Sequence, residues 1–272
     1  MDGSDPEGQA LTYFASNDNP ALTTFIPEGN RSLRFTVVGF GVFTVEMFEQ
    51  RVPAAAGRII ELAESDFYDG TTFHRVINNF VIQGGDPKGD GSGGSGVRFD
   101  DQFHEDLKHT SSGLMSLTQT TVDDTNDSQF FFTEFDPTAP RKLRGLDFDH
   151  PVVGRVVEGE TVPEAISNVA TDMIDRPLTD VVVDNVEVFF DTENGVLTIC
   201  APEGTTGTAT VVVTVTDTDG ETFTTTFDVN IIPDTFNVNC PFNSFVHHDS
   251  HAASSAEFSL KTAGCFEVDW PT

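Results

Sequence analysis

The chain has 272 residues, 44 of them acidic and 14 basic, so its formal net charge is -30. An acidic surface of this kind repels phosphate backbones and anionic lipid headgroups, which argues against general binding to nucleic acids or membrane surfaces. A hydrophobic fraction of 38% with 25 phenylalanines argues against global disorder. The sequence contains no run of about 18 apolar residues, so we expect no membrane insertion.

Changes in composition and hydrophobic pattern divide the chain into four zones. Residues 1–30 alternate a short β-like run with Pro, Gly, Asn and Asp turn signals. Residues 31–190 are mixed, with both strand and helix patterns. Residues 191–233 are rich in Thr and Val and alternate over long runs, a pattern typical of an antiparallel sandwich. Residues 234–272 are polar and irregular, and we interpret them as a C-terminal tail or the start of a further domain.

The mixed zone contains predicted strands and two predicted helices in a defined order. "RSLRFTVV" (31–38) and "VFTVEMF" (42–48) are predicted to be paired strands. "VPAAAGRIIELAES" (52–65) is predicted to be a helix, with Pro53 in its first turn. "EAISNVA" is predicted to be a second, shorter helix, and "VVVDNVEVFF" a closing strand. The apolar positions predicted for the first helix are Ala54, Ile59, Ile60 and Leu62.

The two β-rich segments that flank the mixed zone are each too short for a sandwich, which usually needs about seven strands. Taken together, "DPEGQALTY…NPAL" and "NGVLTI…TGTATVVVTVTDTDG…FDVNI" resemble the two halves of one bacterial cadherin-like or immunoglobulin-like repeat. We therefore expect the flanking segments to form a β-sandwich, with residues 31–190 inserted in one of its loops. Such insertion is tolerated where the termini of the inserted domain lie close together at the surface.

The stretch "FHRVINNFVIQGG" (73–85) places two polar side chains, Arg75 and Gln83, among apolar ones. "FVIQ" has strand character, with Phe80 on one face and with Val81 and Gln83 on the other. A guanidinium keeps its charge and is costly to bury unpaired, so we expect Arg75 on a partly open face. An apolar hollow with one cation and one amide suits an uncharged polar substrate with an apolar ring better than a phosphate.

Five ordered segments carry a resemblance to a known family. "YDGTTFHRVINNFVIQGGD" (68–86) resembles the signature of the cyclophilin family of peptidyl-prolyl cis-trans isomerases. Segments similar to the family's later motifs follow in order: "GDGSGG" (89–94), "FHEDLKHTSSGLMSL" (103–117), "TNDSQFFFTE" (125–134) and "LDFDHPVVGRVVEG" (146–159). The resemblance covers roughly residues 31–190. It implies a mainly β fold, an eight-stranded antiparallel barrel capped by two helices, whose first and last strands are neighbours.

The resemblance also implies a catalytic groove on the outer surface of the barrel. Matched position by position, Arg75 is the catalytic arginine and Gln83 is a second polar group beside it. His74 is expected to have a structural role. The substrate-binding residues that the resemblance implies are Phe80, Val81, Gln119, Gln129, Phe131, Leu146 and His150. Four of these are expected to line the pocket for the proline ring: Phe80, Val81, Phe131 and Leu146.

The resemblance to cyclophilins also implies a function. The chain would isomerise X-Pro bonds of proline-containing polypeptides, as a folding helper or chaperone, with no cofactor and no metal. The alternative is a module of an extracellular adhesion-type protein that binds proline segments with little turnover. "HEDLKH" resembles a zinc motif, but its histidines are five residues apart rather than four, so they would not lie on the same face of a helix. For the acidic stretches "DPEG" and "DTDGE", bound Ca²⁺ stays open as an alternative to plain turns.

The sequence departs from the family pattern near the end of the predicted groove. Many members carry a tryptophan just before the "LD" segment, whereas Arg144 or Gly145 stands there in this chain. We therefore expect weak cyclosporin binding. "LDFDH" (146–150) makes the groove edge acidic, which predicts a preference for basic residues near the substrate proline.

The cysteines and the chain start bear on the cellular compartment. Cys240 and Cys265 form one disulfide in an oxidising compartment, leaving Cys200 in a strand, or all three are free thiols. "MDGSDPEGQALTY" shows no signal-peptide pattern, but it begins in what resembles the middle of a β-domain, so we interpret Met1 as a truncated start. The acidic surface and the cadherin-like flanks predict an extracellular, periplasmic or cell-surface location.

Overall fold

The structure of the protein is a computed structural model that describes residues 10–119, 122, 124–136, 138–139, 142–202, 204–232, 245–247, 257–261 and 264–268. Strands dominate these residues. In chain order the strands are β1 (Thr12–Asn17), β2 (Thr23–Phe25), β3 (Arg31–Val37), β4 (Gly41–Met47), β5 (Arg75–Ile77), β6 (Val81–Gly84), β7 (Leu114–Leu117), β8 (Phe130–Thr133), β9 (Val152–Glu158), β10 (Val183–Phe190), β11 (Leu197–Ala201), β12 (Gly207–Thr216), β13 (Thr222–Ile232), β14 (Phe245–His247), β15 (Glu257–Lys261) and β16 (Gly264–Val268). The helices are α1 (Pro53–Glu64) and α2 (Thr161–Ser167), with a 3-10 helix at Leu143–Leu146.

Contacts divide the chain into two compact units. Residues 29–191 form one, here called the barrel unit, and residues 1–28 with 192–272 form the other, the flanking unit. The barrel unit contains an eight-stranded antiparallel sheet in the order β10-β3-β4-β9-β7-β8-β6-β5. A bridge between Thr72 and Val182 links the two edges of this sheet. The predicted eight antiparallel strands and two helices are therefore confirmed for this unit.

The core of the barrel unit is built from phenylalanine rings that alternate along its strands. Phe35 and Phe43 are cross-strand partners in β3 and β4, and their rings stack with centroids 4.9 Å apart. Phe130 and Phe132 both point inward from β8 and meet edge to face at 5.6 Å. Offset and edge-to-face ring pairs add to the free energy of burial, so these rings fix the packing of the sheet.

Both predicted helices are present, but each differs from its prediction in one respect. In α1, Pro53 occupies the first turn, but Ala54 is exposed and its predicted core position is wrong. The backbone N–H of Ala54 has no partner within the helix and donates instead to Gln102 Oε1 at 2.8 Å. The second helix begins at Thr161, three residues before its predicted start. No helix in the described part of the chain is long and apolar enough to cross a membrane.

The flanking unit contains two sheets. Their strand orders are β1-β12-β13-β15-β14 and β16-β11-β2. Residues from both sheets form one hydrophobic cluster: Ala15, Leu22, Leu197, Ile199, Ala201, Ala209, Val211, Val213, Phe227, Val229 and Ile231. The predicted turn at "DTDGE" joins β12 to β13, with Asp217 N–H donating to Glu221 O at 3.1 Å. Assignment of this unit to a cadherin-like or immunoglobulin-like sandwich stays a prediction.

The cysteine pattern differs from both alternatives considered for it, because each of them leaves Cys200 without a disulfide. Cys200 is disulfide-bonded and is not left as a lone strand cysteine. The antiparallel ladder of β11 and β16 places Cys265 directly opposite Cys200. Directly opposed residues in such a ladder are within the Cα separation that a disulfide spans. Cys240 lies outside the described residues.

The ends of the barrel unit lie side by side, which bears on the insertion hypothesis. Arg31 at the start of β3 is the register partner of Phe190 at the end of β10. We expect a variant in which residues 31–190 are replaced by a short linker to remain a folded β-protein, because both chain ends would already be close. Circular dichroism and urea unfolding of this variant measure the outcome. A product without a cooperative unfolding transition would contradict the insertion hypothesis.

Candidate active site

The side chain of Arg75 is held between two neighbours at the edge of the sheet. β5 begins at Arg75, whose register partner in β6 is Gln83. Arg75 Nη1 donates to Gln83 Oε1 at 3.4 Å, and Nε lies 3.8 Å from Asp175 Oδ2. The Arg75 side chain is 41% exposed, so the expectation of a partly open face is confirmed. An exposed cation on an otherwise apolar strand pair marks this edge as the candidate site.

Two glutamine amides connect Arg75 to a glycine-rich loop. Gln83 Nε2 donates to Gln129 Oε1 at 2.9 Å. Gln129 Nε2 in turn donates to the carbonyl oxygens of Gly91 and Gly93, at 3.0 and 2.8 Å. The predicted site residues Arg75, Gln83 and Gln129 are therefore brought together in one hydrogen-bonded series. This series orients the Gln83 carbonyl oxygen toward the guanidinium.

A buried carboxylate holds the glycine-rich loop in shape. Asp86 accepts hydrogen bonds from the backbone N–H groups of Lys88, Asp90 and Gly91 at 2.8, 3.2 and 2.6 Å. Burial acts to raise the pKa of Asp86, but these N–H groups and that of Gly93 outweigh it, and the pKa lies below its usual value. The loop is thus a firm support for the amide series.

The next part of the site is an aromatic wall, formed by the rings of Phe131 and His150. Gln83 is the register partner of Phe131 in β8, so the amide series adjoins this ring. Phe131 is only 3% exposed, with His150 edge to face at a centroid distance of 5.3 Å. His150 Nδ1 lies 3.0 Å from Leu117 O. Burial lowers the pKa of His150, so the ring is neutral near pH 7 and Nδ1 is the donor. His150 is therefore an uncharged part of the wall.

The remaining predicted residues lie around this wall. Leu146 ends the 3-10 helix, and its carbonyl oxygen accepts from His150 N–H at 3.1 Å. Gln119 Nε2 donates to the carbonyl oxygen of Asp149. Phe80 is half-buried in the turn before β6, with Lys142 Nζ 4.6 Å from its ring centroid. Buried in β6, Val81 is the register partner of Thr133 in β8.

His74 is packed inside the barrel unit rather than displayed in the groove. It is 7% exposed, and burial lowers its pKa despite the nearby Asp86 carboxylate. A backbone hydrogen bond with Thr72 also acts to raise this pKa, but burial outweighs it. A neutral, enclosed imidazole fits the structural role expected from the sequence.

A polar network beneath Phe131 was missed in the sequence. His109 stacks on the Phe131 ring at a centroid distance of 5.8 Å. Its Nδ1 lies 3.1 Å from Asp147 Oδ1, and its Nε2 lies 2.9 Å from Ser116 Oγ. Asp147 is thus enclosed, and of the two acidic residues in "LDFDH" only Asp149 is exposed. The signal in the sequence that could have revealed this network is that His109, Ser116 and Asp147 all lie in segments similar to family motifs.

Within the part of the chain that the structure describes, no group of three or more His, Cys, Asp or Glu is arranged to hold a metal ion. In "DTDGE", Asp217 Oδ1 accepts from Glu221 N–H at 2.8 Å, an arrangement that a plain turn also shows. The other acidic stretch, "DPEG", lies outside the described residues.

Comparison with known proteins adds an independent line of evidence. The family model described as cyclophilin type peptidyl-prolyl cis-trans isomerase/CLD matches residues 32–188. An Arabidopsis thaliana protein, peptidyl-prolyl cis-trans isomerase CYP18-2, is 38% identical over 158 residues, which cover 57% of this chain and 92% of the relative. The human peptidyl-prolyl cis-trans isomerase-like 1 is 40% identical over 144 residues, 52% of this chain and 82% of the relative.

Solved structures also resemble part of the chain. A crystal structure of a Cryptosporidium parvum cyclophilin type peptidyl-prolyl cis-trans isomerase matches with a TM-score of 0.55 and 27% identity, covering 60% of this chain and 99% of that one. The structure of that protein in the presence of the dipeptide Ala-Pro matches with a TM-score of 0.54 and 28% identity, covering 59% and 99%. Residues 32–188, which the family model matches, contain Arg75 and the aromatic wall.

Proposed function

The chain belongs to the cyclophilin family of peptidyl-prolyl cis-trans isomerases, and we propose on that premise that Arg75 is the group that catalyses rotation of X-Pro bonds. The enzyme class itself, a cyclophilin-type peptidyl-prolyl cis-trans isomerase, is given by the family. The observation that carries the proposal is the Arg75 guanidinium, 41% exposed beside an apolar wall and held by Gln83.

The chemistry required of the site is electrostatic. The barrier to rotation about a peptide bond is about 18–20 kcal/mol and arises from amide resonance. In the twisted transition state the prolyl nitrogen becomes pyramidal and regains its lone pair. A guanidinium N–H of Arg75 can donate to that nitrogen more strongly when the bond is twisted than when it is planar. Such differential binding lowers the barrier without a nucleophile.

The aromatic wall supplies the affinity that orients the substrate. In the proposal, Phe131, Leu146 and Phe80 contact the proline ring, with Val81 behind them and His150 as a neutral rim. Gln129 and Gln119 would contact the peptide backbone. The relative that was crystallised in the presence of Ala-Pro supports a proline-containing ligand for this groove. Exposed Asp149 supports the expected preference for basic residues near the substrate proline.

The cellular role and the location are also proposals. Proline-containing polypeptides are the proposed partners, and assistance to their folding is the proposed role, because uncatalysed X-Pro isomerisation takes about tens to hundreds of seconds and can limit folding. A location outside the cytoplasm is supported by the disulfide at Cys200 and the net charge of -30. Weak cyclosporin binding remains expected from Arg144 and Gly145.

A protease-free assay separates the enzyme from a binding module. We expect the full chain to accelerate cis-trans exchange of a proline peptide, measured by NMR exchange spectroscopy, while affinity for the same peptide is measured by calorimetry. Acceleration at enzyme concentrations far below that of the peptide supports the enzyme. Tight binding with the uncatalysed exchange rate would instead favour the proline-binding alternative.

A further inference from the structure

A short loop of the barrel unit brings a carboxylate to Arg75. In this loop, residues 171–177, Asp172 N–H donates to Arg176 O at 2.8 Å, and Thr171 bridges to Pro177. Asp172 Oδ1 also accepts from the N–H groups of Ile174 and Arg176, at 2.9 and 3.0 Å. These internal bonds make the loop a defined turn.

At the tip of this turn, Asp175 adopts a left-handed backbone conformation. Its φ is 66°, in a region that few residues other than Gly, Asn and Asp adopt. Its carbonyl oxygen accepts from Val76 N–H at 2.8 Å, which fixes the turn to β5 beside Arg75. Its carboxylate oxygen Oδ2 lies 3.8 Å from Arg75 Nε. Conformations of this kind often cluster at functional sites.

The stability of the fold does not explain this carboxylate. The two side chains of the Asp175–Arg75 pair are 44% and 41% exposed. Ion pairs this open to solvent contribute little to folding free energy. At 3.8 Å the pair is also beyond hydrogen-bond distance, so it acts through charge rather than through a shared proton. What the carboxylate does achieve is to direct the guanidinium.

The contacts of the guanidinium show how it is directed. Its Nε faces Asp175, and its Nη1 faces Gln83. A planar group that is held at two separate nitrogens has a fixed plane. Neither of these two contacts, made with residues that the structure describes, uses Nη2, so this nitrogen is available to a substrate.

From this geometry we propose that Asp175 is a positioning residue, which holds the Arg75 guanidinium so that Nη2 faces the prolyl nitrogen. The inference rests on the proposed function of Arg75. Gln83 approaches the guanidinium from the sheet and Asp175 from the loop, so the cation is oriented by an amide on one side and a carboxylate on the other. Without the carboxylate, the long arginine side chain would sample more conformations and meet the transition state less often.

The test uses two substitutions that suit the backbone of the loop. Both Asp175→Asn and Asp175→Gly tolerate a positive φ, and the glycine variant removes the whole side chain. We expect kcat for a proline peptide to fall about tenfold in Asp175→Gly, as when a group that orients a reactive residue is lost. KM should stay unchanged, because the interaction matters in the transition state. A similar fall is expected for Asp175→Asn, because the pair acts through charge and this variant removes the charge while keeping the shape of the side chain.

A double-mutant cycle distinguishes positioning from a structural role. In an Arg75→Ala background we expect Asp175→Gly to change the residual rate less than about twofold, because residues that act together are non-additive. An equal fall in both backgrounds would show a structural effect and overturn the inference. An unchanged kcat in Asp175→Gly alone would also overturn it.

A matched control and a separate outcome complete the experiment. Asp180→Asn removes one charge from the exposed chain that follows the same loop, and we expect wild-type kcat, so a fall there would attribute the effect to net charge and overturn the inference. If Arg75→Ala itself retained the full rate, the proposed function would fail, an outcome distinct from an additive cycle. Urea unfolding of each variant verifies that the chain is folded.

Discussion

Replacing Arg75 with alanine is expected to lower kcat/KM for isomerisation of a proline peptide by about 10²–10³-fold, equivalent to about 2.7–4 kcal/mol of barrier. This is the range observed when one preorganised hydrogen-bond donor to a transition state is removed. The effect should be on kcat more than on KM, since the donor interacts with the twisted bond more than with the planar one. NMR exchange measurements on both proteins give the rates.

The control for this prediction is another exposed arginine of the same unit. The side chain of Arg34 is also 41% exposed, and its Nη1 lies 3.0 Å from Glu187 Oε2 on the neighbouring strand β10. Arg34→Ala should leave kcat/KM unchanged, because an exposed pair of this kind contributes little even to stability. Full activity in Arg75→Ala would exclude Arg75 as the catalytic cation, whatever the Arg34 result.

Truncation of Phe130 to alanine should destabilise the barrel unit by about 3–5 kcal/mol. The ring is completely buried. It meets four others edge to face, with centroid distances of 5.6 Å to Phe35, 5.4 Å to Tyr68, 6.3 Å to Phe73 and 5.6 Å to Phe132. Its removal leaves a cavity that these rings cannot all fill. Urea unfolding monitored at equilibrium measures the loss.

An exposed phenylalanine of the same unit provides the comparison. Phe190 in β10 is 67% exposed, so Phe190→Ala removes the same atoms from a position where they contact mainly water. We expect a change within about 0.5 kcal/mol, as for most surface substitutions. Equal destabilisation by the two substitutions would mean that Phe130 does not hold the core together.

The sequence predicted the parts of the site that depend on strand periodicity. The "FVIQ" pattern places Gln83 toward Arg75, and the two residues are register partners. The alternation of "QFFF" likewise places Phe131 on the opposite face of β8 from Phe130 and Phe132. Matched motifs and the two-residue period of a strand were sufficient to predict which face these side chains occupy, because register in a sheet with one buried face is strongly specified.

Other features depend on contacts between distant segments and could not be predicted. Asp175 is 100 positions away from Arg75, and only the turn that returns to β5 brings the two together. Similarly, the enclosure of Asp147 depends on His109, which comes from another motif. The first turn of α1 likewise has its N–H of Ala54 capped by the Gln102 side chain, which is 48 residues away. Local patterns carry no information about such tertiary partners.

The alternating rings of strand β8 limit how the sequence of this enzyme can change. Its rings at 130 and 132 belong to the core, whereas the ring between them lies against His109 and His150 and is the one proposed to contact the substrate. A shift of the strand by one residue would exchange these roles and remove stability and activity together. We therefore expect changes in substrate preference to be tolerated mainly in the loops around the strand. Those segments, with Asp149 and Asp175, are where descendants of this protein could diversify without losing the fold.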